Sequence, residues 1–161
     1  MEHFRQLVAE ANKAFQTADH LAFVTYPFVN DVKILMIIAE NLQKALLRGM
    51  EALLYYDALY KRISPYPKEF RNQFDIFRNH TARRYNIPND QLMLIAEVND
   101  VVNNRNKSKV EFARRDQFVI ATSDYRVKTI NIEKIKNYIN LTKRFIGKVN
   151  EVQEASDRRF S

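Results

Sequence analysis

The 161-residue chain has 46% apolar and 28% charged residues and a formal net charge of +7, which fits one soluble globular domain rather than a disordered segment. It has no cysteine, so disulfides, thiolate metal sites and a cysteine nucleophile are excluded, and a reducing cytoplasm is the expected location. Two glycines and four prolines predict long helices with few tight turns, and the longest apolar run, Ile34 to Ala39, is far too short for a membrane span.

The first helix is expected from about Glu2 to Thr25, with Phe4, Leu7, Val8, Ala11, Phe15, Ala18 and Ala22 on its apolar stripe. Tyr26-Pro27 should end it, because a residue before proline is pushed out of the α region. After a short connection, Asn30 or Asp31 should cap the long stretch Asp31 to Ile63. There Leu35, Ile38, Leu42, Ala45, Gly49, Ala52, Tyr56, Leu59 and Ile63 recur at helical spacing, and Ile34, Leu46, Met50, Leu53 and Leu54 widen the face. Such a helix would be central. Its seam is small in the middle, at Ala45, Gly49 and Ala52, which predicts another helix packed close at Gly49. Tyr55, Tyr56, Tyr60, Tyr26 and Tyr66 are expected around one end of it, as core packing with hydroxyls at the rim or as a surface for bases or a partner.

Ser64-Pro65-Tyr66-Pro67 stops the long helix, and Pro67 should be the first residue of the next. That helix places Phe70, Phe74, Phe77, Thr81 and Tyr85 on one face, with Arg71 and Asp75 able to pair on the other. A turn at Asn86 to Asp90 leads to a helix with Leu92, Ile95, Val98 and Val102 facing in, expected to fray into a mobile loop at residues 103–109. Phe118 to Thr122 and Tyr125 to Ile130 read as a small hairpin turning at Ser123-Asp124, with Arg126, Lys128 and Ile130 on one face of its second strand. The last helix should run from Asn131, as N-cap, to about Ser156, leaving residues 157–161 as a loose tail. The fold class is therefore all-α: an up-and-down bundle of four to five long helices with a small β-hairpin before the last, forming one domain over residues 1–156.

Chemical motifs are few. There is no Glu-x-x-His pair, no His-Glu-x-x-His and no glycine-rich phosphate loop, so neither a metal site nor a cofactor is expected. His80 reads as a partly buried histidine satisfied by a carbonyl or water. The functional reading makes it a general acid or base with Arg71 or Arg78. Charge is uneven: residues 1–80 carry 10 basic against 9 acidic side chains, and residues 81–161 carry 16 against 10. The basic cluster Arg105, Lys107, Lys109, Arg114, Arg115, Arg126 and Lys128 is the candidate nucleic-acid site, because a phosphate backbone needs only gathered positive charge. The other reading is a solvated edge protecting the hairpin.

With one long central helix in a small bundle, the chain resembles the HEPN family, whose members include metal-independent ribonucleases and nucleotide-binding partners. In those ribonucleases an arginine precedes a histidine with four to six residues between. Here Arg71-Asn72 precedes His80 with eight between and Arg78-Asn79 with one, so the nuclease motif is not matched and the resemblance implies helical architecture only. Through ADHLAFVTYPFV and EALLYYDALYKRISPYP the chain is also similar to short archaeal helical proteins, a resemblance that implies no activity. The expected function is a non-enzymatic interaction module that binds RNA or DNA through residues 105–128. The alternatives are a HEPN-like ribonuclease and a structural homo-oligomer; a membrane partner is not expected.

Overall fold

Residues 2–29 wind as one continuous helix that survives its proline. It comprises α1 (Glu2–His20), a π-helical segment (Leu21–Thr25) and α2 (Tyr26–Val29). The computed structural model describes the backbone of residues 1–107, 110–114, 116–121 and 126–160, and the side chains of 1–105, 116–120 and 126–160. Tyr26 keeps right-handed helical angles, against the break expected at Tyr26-Pro27. In a regular α turn the Pro27 ring would meet the carbonyl of Phe23. The wider turn absorbs that conflict, with the Tyr26 N–H donating to the Leu21 carbonyl five residues back. The helix stops at Asn30, which adopts φ 56° and donates its N–H to Tyr26 at 2.8 Å.

Helix α3 (Lys33–Leu59) is the central element. Val32 is its N-cap, one residue after the expected Asn30 or Asp31, and Asp31 Oδ1 accepts from the Lys33 N–H at 3.0 Å. The expected stripe is buried from Leu35 to Tyr56, but Leu59 is 45% exposed and the helix ends four residues before Ile63. No proline stops it. Lys61 turns left-handed (φ 58°), and the Arg62 N–H donates to Asp57 and the Lys61 N–H to Ala58, closing a Schellman motif. Helix α1 packs along α3 on one side, with α7 (Ile132–Arg159) and α6 (Asn89–Lys107) on the others. Against α7 the approach is close: a Cβ on Gly49 would lie 2.8 Å from Phe145 Cε1 and 3.3 Å from Val149 Cγ2. The close packing expected at Gly49 is present. Asn12 of α1 and Asn150 of α7 exchange amide hydrogen bonds at 2.8 and 3.0 Å, pinning these two helices to each other.

After Pro67 the chain stays irregular until α4 (Phe70–Ile76), three residues later than expected, because Glu69 is extended and its carbonyl accepts the first bond, from Gln73. A second π-helical segment (Phe77–Thr81) and α5 (Ala82–Arg84) continue it, burying Phe77 and Thr81. Asp75 pairs with Arg78 rather than Arg71. A second Schellman motif ends this helix at Asn86 (φ 56°), with Ile87 donating to Ala82.

Helix α6 does not fray at Asn103. It stays helical through Lys107, because its polar residues are anchored to α3: Gln43 donates to Asn99 and Asn103, and Arg105 pairs with Glu40. Next come β1 (Val110–Arg114), β2 (Gln117–Ala121) and β3 (Val127–Ile130), an antiparallel meander in that order. The expected hairpin is β2 with β3, paired Phe118 to Ile130 and Ile120 to Lys128. Its turn at Ser123-Asp124 lies outside the described residues, and β1 is an additional strand. Phe118, Ile120 and Ile130 are buried, so this sheet face lies on the helical core. Asn131 caps α7 by accepting from the Lys134 N–H at 2.8 Å, and α7 continues past Ser156 to Arg159, with Asp157 paired to Arg5 at 2.8 Å. No helix among the described residues is long and apolar enough to cross a membrane.

Candidate functional site

Asp57 is the point from which the site is built. It lies in the last turn of α3, beside Leu53 and Leu54 on the inward face, and is fully buried. A buried carboxylate requires partners, since desolvating an unpaired charge costs on the order of several kcal/mol. Three side chains supply them. The Tyr85 hydroxyl donates to Asp57 Oδ1 at 2.8 Å, Arg62 Nη1 donates to the same oxygen at 3.3 Å, and Arg84 Nε stands 3.4 Å from Oδ2. Arg62 Nη1 also lies 3.3 Å from the Tyr85 oxygen, closing a triangle.

The Schellman turn at Lys61 brings Arg62 back over the end of α3, where its guanidinium lies 5.7 Å from the Tyr56 ring centroid and 5.3 Å from that of Tyr60. The turn at Asn86 places Arg84 and Tyr85 opposite. Burial works against the Arg62 charge, but Tyr85 and the Asp57 carboxylate outweigh it and hold its pKa above the ordinary range. Burial and then Asp57 push the Tyr85 hydroxyl up, so it stays a neutral donor.

This cluster forms one wall of a cleft of about 540 Å³. The opposite wall is the last third of α7: Lys148, Glu151, Val152, Ala155, Arg158 and Arg159. Lys148 pairs with Glu151 at 3.1 Å. Five cationic side chains therefore surround the cleft, against Glu151 at its edge and Asp57 beneath it. A second cavity of about 250 Å³ shares Arg62 and is lined also by Ile63, Ser64, Ile76 and His80.

Of the expected basic cluster, the side chains of Arg105, Arg126 and Lys128 are described. Arg105 pairs with Glu40 and lies 5.9 Å from the Phe118 ring, and Lys128 pairs with Asp100 on α6. Arg126 is exposed. Lys107 and Arg114 belong to α6 and β1, but their side chains, like Lys109 and Arg115 altogether, lie outside the described residues. The strand face that carries Lys128 and Ile130 belongs to the candidate nucleic-acid site. It turns toward the bundle, because Ile130 is needed in the core.

His80 is exposed rather than partly buried, on the second π-helical segment. The cavity it lines contains Arg62 but neither Arg71 nor Arg78, both exposed. Of the five tyrosines, Tyr55, Tyr56, Tyr60 and Tyr66 lie toward the C-terminal end of α3. Tyr26 lies at its other end, since α2 immediately precedes α3. Among the described residues no group of three or more His, Asp or Glu side chains is placed to hold a metal ion. No protein-family model and no curated protein sequence matches this chain.

Sequence reading assigned none of Arg62, Arg84, Lys148, Arg158 and Arg159 to a site and placed Tyr85 only on a helix face. One signal was available: Asp57 falls four residues after Leu53 on an apolar face, and a carboxylate there demands a cation from elsewhere in the chain.

Proposed function

We propose that the protein is a non-enzymatic binding module for phosphate-bearing polyanions, RNA or DNA, and that its phosphate-binding centre is the arginine-lined cleft rather than the 105–128 segment. The observation that carries this reading is the convergence of Arg62, Arg84, Lys148, Arg158 and Arg159 on one cleft, two of them oriented by a buried carboxylate. Arginines held this way lose less freedom on binding a phosphate than arginines on a solvated face. Binding of this kind follows charge rather than sequence. Retention of single-stranded RNA and of duplex DNA at several salt concentrations tests it. Affinity should fall by about 0.7–0.9 log units per neutralised phosphate for each tenfold rise in salt. Arg84→Gln with Arg159→Gln should flatten that slope by about one to two contacts. Wild-type protein that retains neither at low salt overturns the reading.

A second reading, self-association, has its own observation. Phe28 is 91% exposed at the opposite end of the bundle, with Phe23, Val24 and Val29 about half exposed beside it. A hydrodynamic size of a monomer that is unchanged by Phe28→Ser removes that reading. The ribonuclease reading keeps His80 beside Arg62 as its only support. It predicts RNA cleavage in chelator that disappears in His80→Ala.

A further inference from the structure

Arg62 lines two recesses. One is the cleft, and the other is the second cavity of about 250 Å³, so spaces of different chemistry meet at one guanidinium. The cleft gathers cations. The second cavity is walled by Ile63 and Ile76, with Ser64 and His80 completing it. Both isoleucines are partly buried and pack against the hydrophobic core, which fixes them. Local structure brings the four together. The left-handed turn at Lys61 leads Ile63 and Ser64 away from α3. Ile76 and His80 stand four apart on the 70–84 helix, about one turn from each other.

That composition does not suit a phosphate, since apolar walls offer its oxygens no donor. It suits a nucleobase. Unpaired bases are held by stacking on aromatic rings, histidine included, and on arginine guanidiniums, with polar groups meeting their edges. His80 supplies such a ring and Arg62 such a plane, and the isoleucines supply apolar contact. The Ser64 hydroxyl can donate to a base edge or accept from it. His80 and Ser64 are exposed, and no side-chain hydrogen bond or ion pair among the described residues engages either. Arg62 is held at the boundary through Nη1, which meets Asp57 and Tyr85. Size agrees as well. Pockets for drug-sized ligands run to about 300–1,000 Å³, and this smaller one fits a single planar ring system.

We infer that the second cavity is a subsite for an unpaired nucleobase, adjoining the phosphate-binding cleft across Arg62. This rests on the polyanion reading and narrows it: the ligand is single-stranded nucleic acid rather than a duplex or a polyanion without bases. A base in a duplex would first have to leave its partner and its stack. Stacking accepts the face of any base, so the subsite distinguishes strandedness rather than sequence.

The experiment compares a fluorescent oligodeoxythymidine, the same backbone with every base removed, and a DNA duplex of equal length. Binding is read by anisotropy at moderate salt. The abasic strand matches the thymidine strand in charge, and the duplex carries twice the phosphates, so charge alone would favour the duplex. The expected result is that the thymidine strand binds at least about fivefold tighter than either. His80→Ala should bring the thymidine strand close to the abasic one. His80→Phe keeps a ring without its nitrogens and should retain most of the preference. Both variants replace an exposed side chain and should leave the circular-dichroism spectrum unchanged. Equal binding of the thymidine and abasic strands, or a duplex that binds at least as tightly as the thymidine strand, overturns the inference and leaves the polyanion reading standing. A His80→Phe that loses as much preference as His80→Ala overturns the stacking role and the subsite with it. No binding of any of the three overturns both readings.

Discussion

Phe145 occupies the space that a side chain at Gly49 would need. Its Cε1 lies 2.8 Å from where a Cβ would stand, and Phe145 is itself fully buried against Phe77. The ring therefore has little room to move aside. Gly49→Ala should destabilise the protein despite its better helix propensity, and Gly49→Leu should cost about 1–3 kcal/mol through overpacking. Gly147 is the internal control, since a Cβ there meets nothing within 4 Å. Gly147→Ala should stabilise by up to about 1 kcal/mol. Urea unfolding of the three variants checks this, and a Gly49→Ala as stable as Gly147→Ala would show that the α3–α7 seam is looser than the distances imply.

Asp57 sustains the arginine cluster. Asp57→Asn keeps the shape but removes the charge that Arg62 and Arg84 meet, and hydrogen bonds to a charged group contribute about 1.5–3 kcal/mol. A loss in that range is expected, with a smaller loss for Arg84→Gln because Arg84 is substantially exposed. Chemical denaturation of both separates a buried-carboxylate role from a surface pair, for which the two losses would be equal and small.

Three helices end on non-glycine residues in left-handed backbone, Lys61 at φ 58° and Asn30 and Asn86 at φ 56°. Lysine has no side-chain means of easing that conformation, whereas asparagine tolerates it. Lys61→Gly should therefore stabilise by about 1 kcal/mol, and Asn86→Gly by less. Thermal melts of the pair test the ordering, and a destabilised Lys61→Gly would contradict the Schellman geometry at the end of α3.

Much of the fold was legible because its helices obey one period. The stripe from Leu35 to Tyr56, the cap at Asn131 and the close approach at Gly49 follow from spacing and residue size alone. The endings were not legible. Pro27 marks a break in local terms, but a π turn accommodates it, and the end of α3 is set by Lys61 rather than by the prolines beyond. The site was hidden for the same reason. Arg62, Arg84 and Arg159 are far apart in sequence and meet only because three helices stop at one place. A cluster counted along the chain, such as 105–128, gives no information on which charges are already paired. Arg105 with Glu40 and Lys128 with Asp100 are such pairs.

Three tyrosines set the alkaline limit. Burial, with Glu51 and Tyr55, pushes Tyr66 up to about 12; burial first raises Tyr85 and Tyr138 as well, with Asp57 and Glu97 respectively adding to it. An unfolded tyrosine titrates near 10. The stability associated with these neutral hydroxyls is therefore fully present below about pH 10 and is lost as pH rises through 10 toward and beyond 12. Tyr138 isolates the effect, because its hydroxyl is buried and faces a single charged group, Glu97, that holds it neutral along with the burial. Tyr138→Phe should be neutral or slightly stabilising at pH 7 and should flatten the loss above pH 10, which denaturation at a series of pH values would show.

The two basic regions make opposite demands on the same measurement. If residues 105–128 held nucleic acid as the sequence suggests, replacing Arg126 and Lys128 by glutamine would remove one to two contacts from the salt slope, each about 0.7–0.9 log units. But Lys128 already meets Asp100, so the pair presents no net charge to a phosphate and its loss removes no phosphate contact. The strand face it shares with Ile130 is committed to the core. Arg126→Gln with Lys128→Gln should therefore change the slope by less than about one contact, while Arg84→Gln with Arg159→Gln changes it by one to two. Folding of the hairpin variant should remain intact, because an exposed ion pair contributes about 0–1 kcal/mol. Retention on the same nucleic acid at four salt concentrations compares the two variants directly. A larger effect from the hairpin variant would return the phosphate-binding centre to residues 105–128 and leave the arginines around Asp57 as caps for three helix ends.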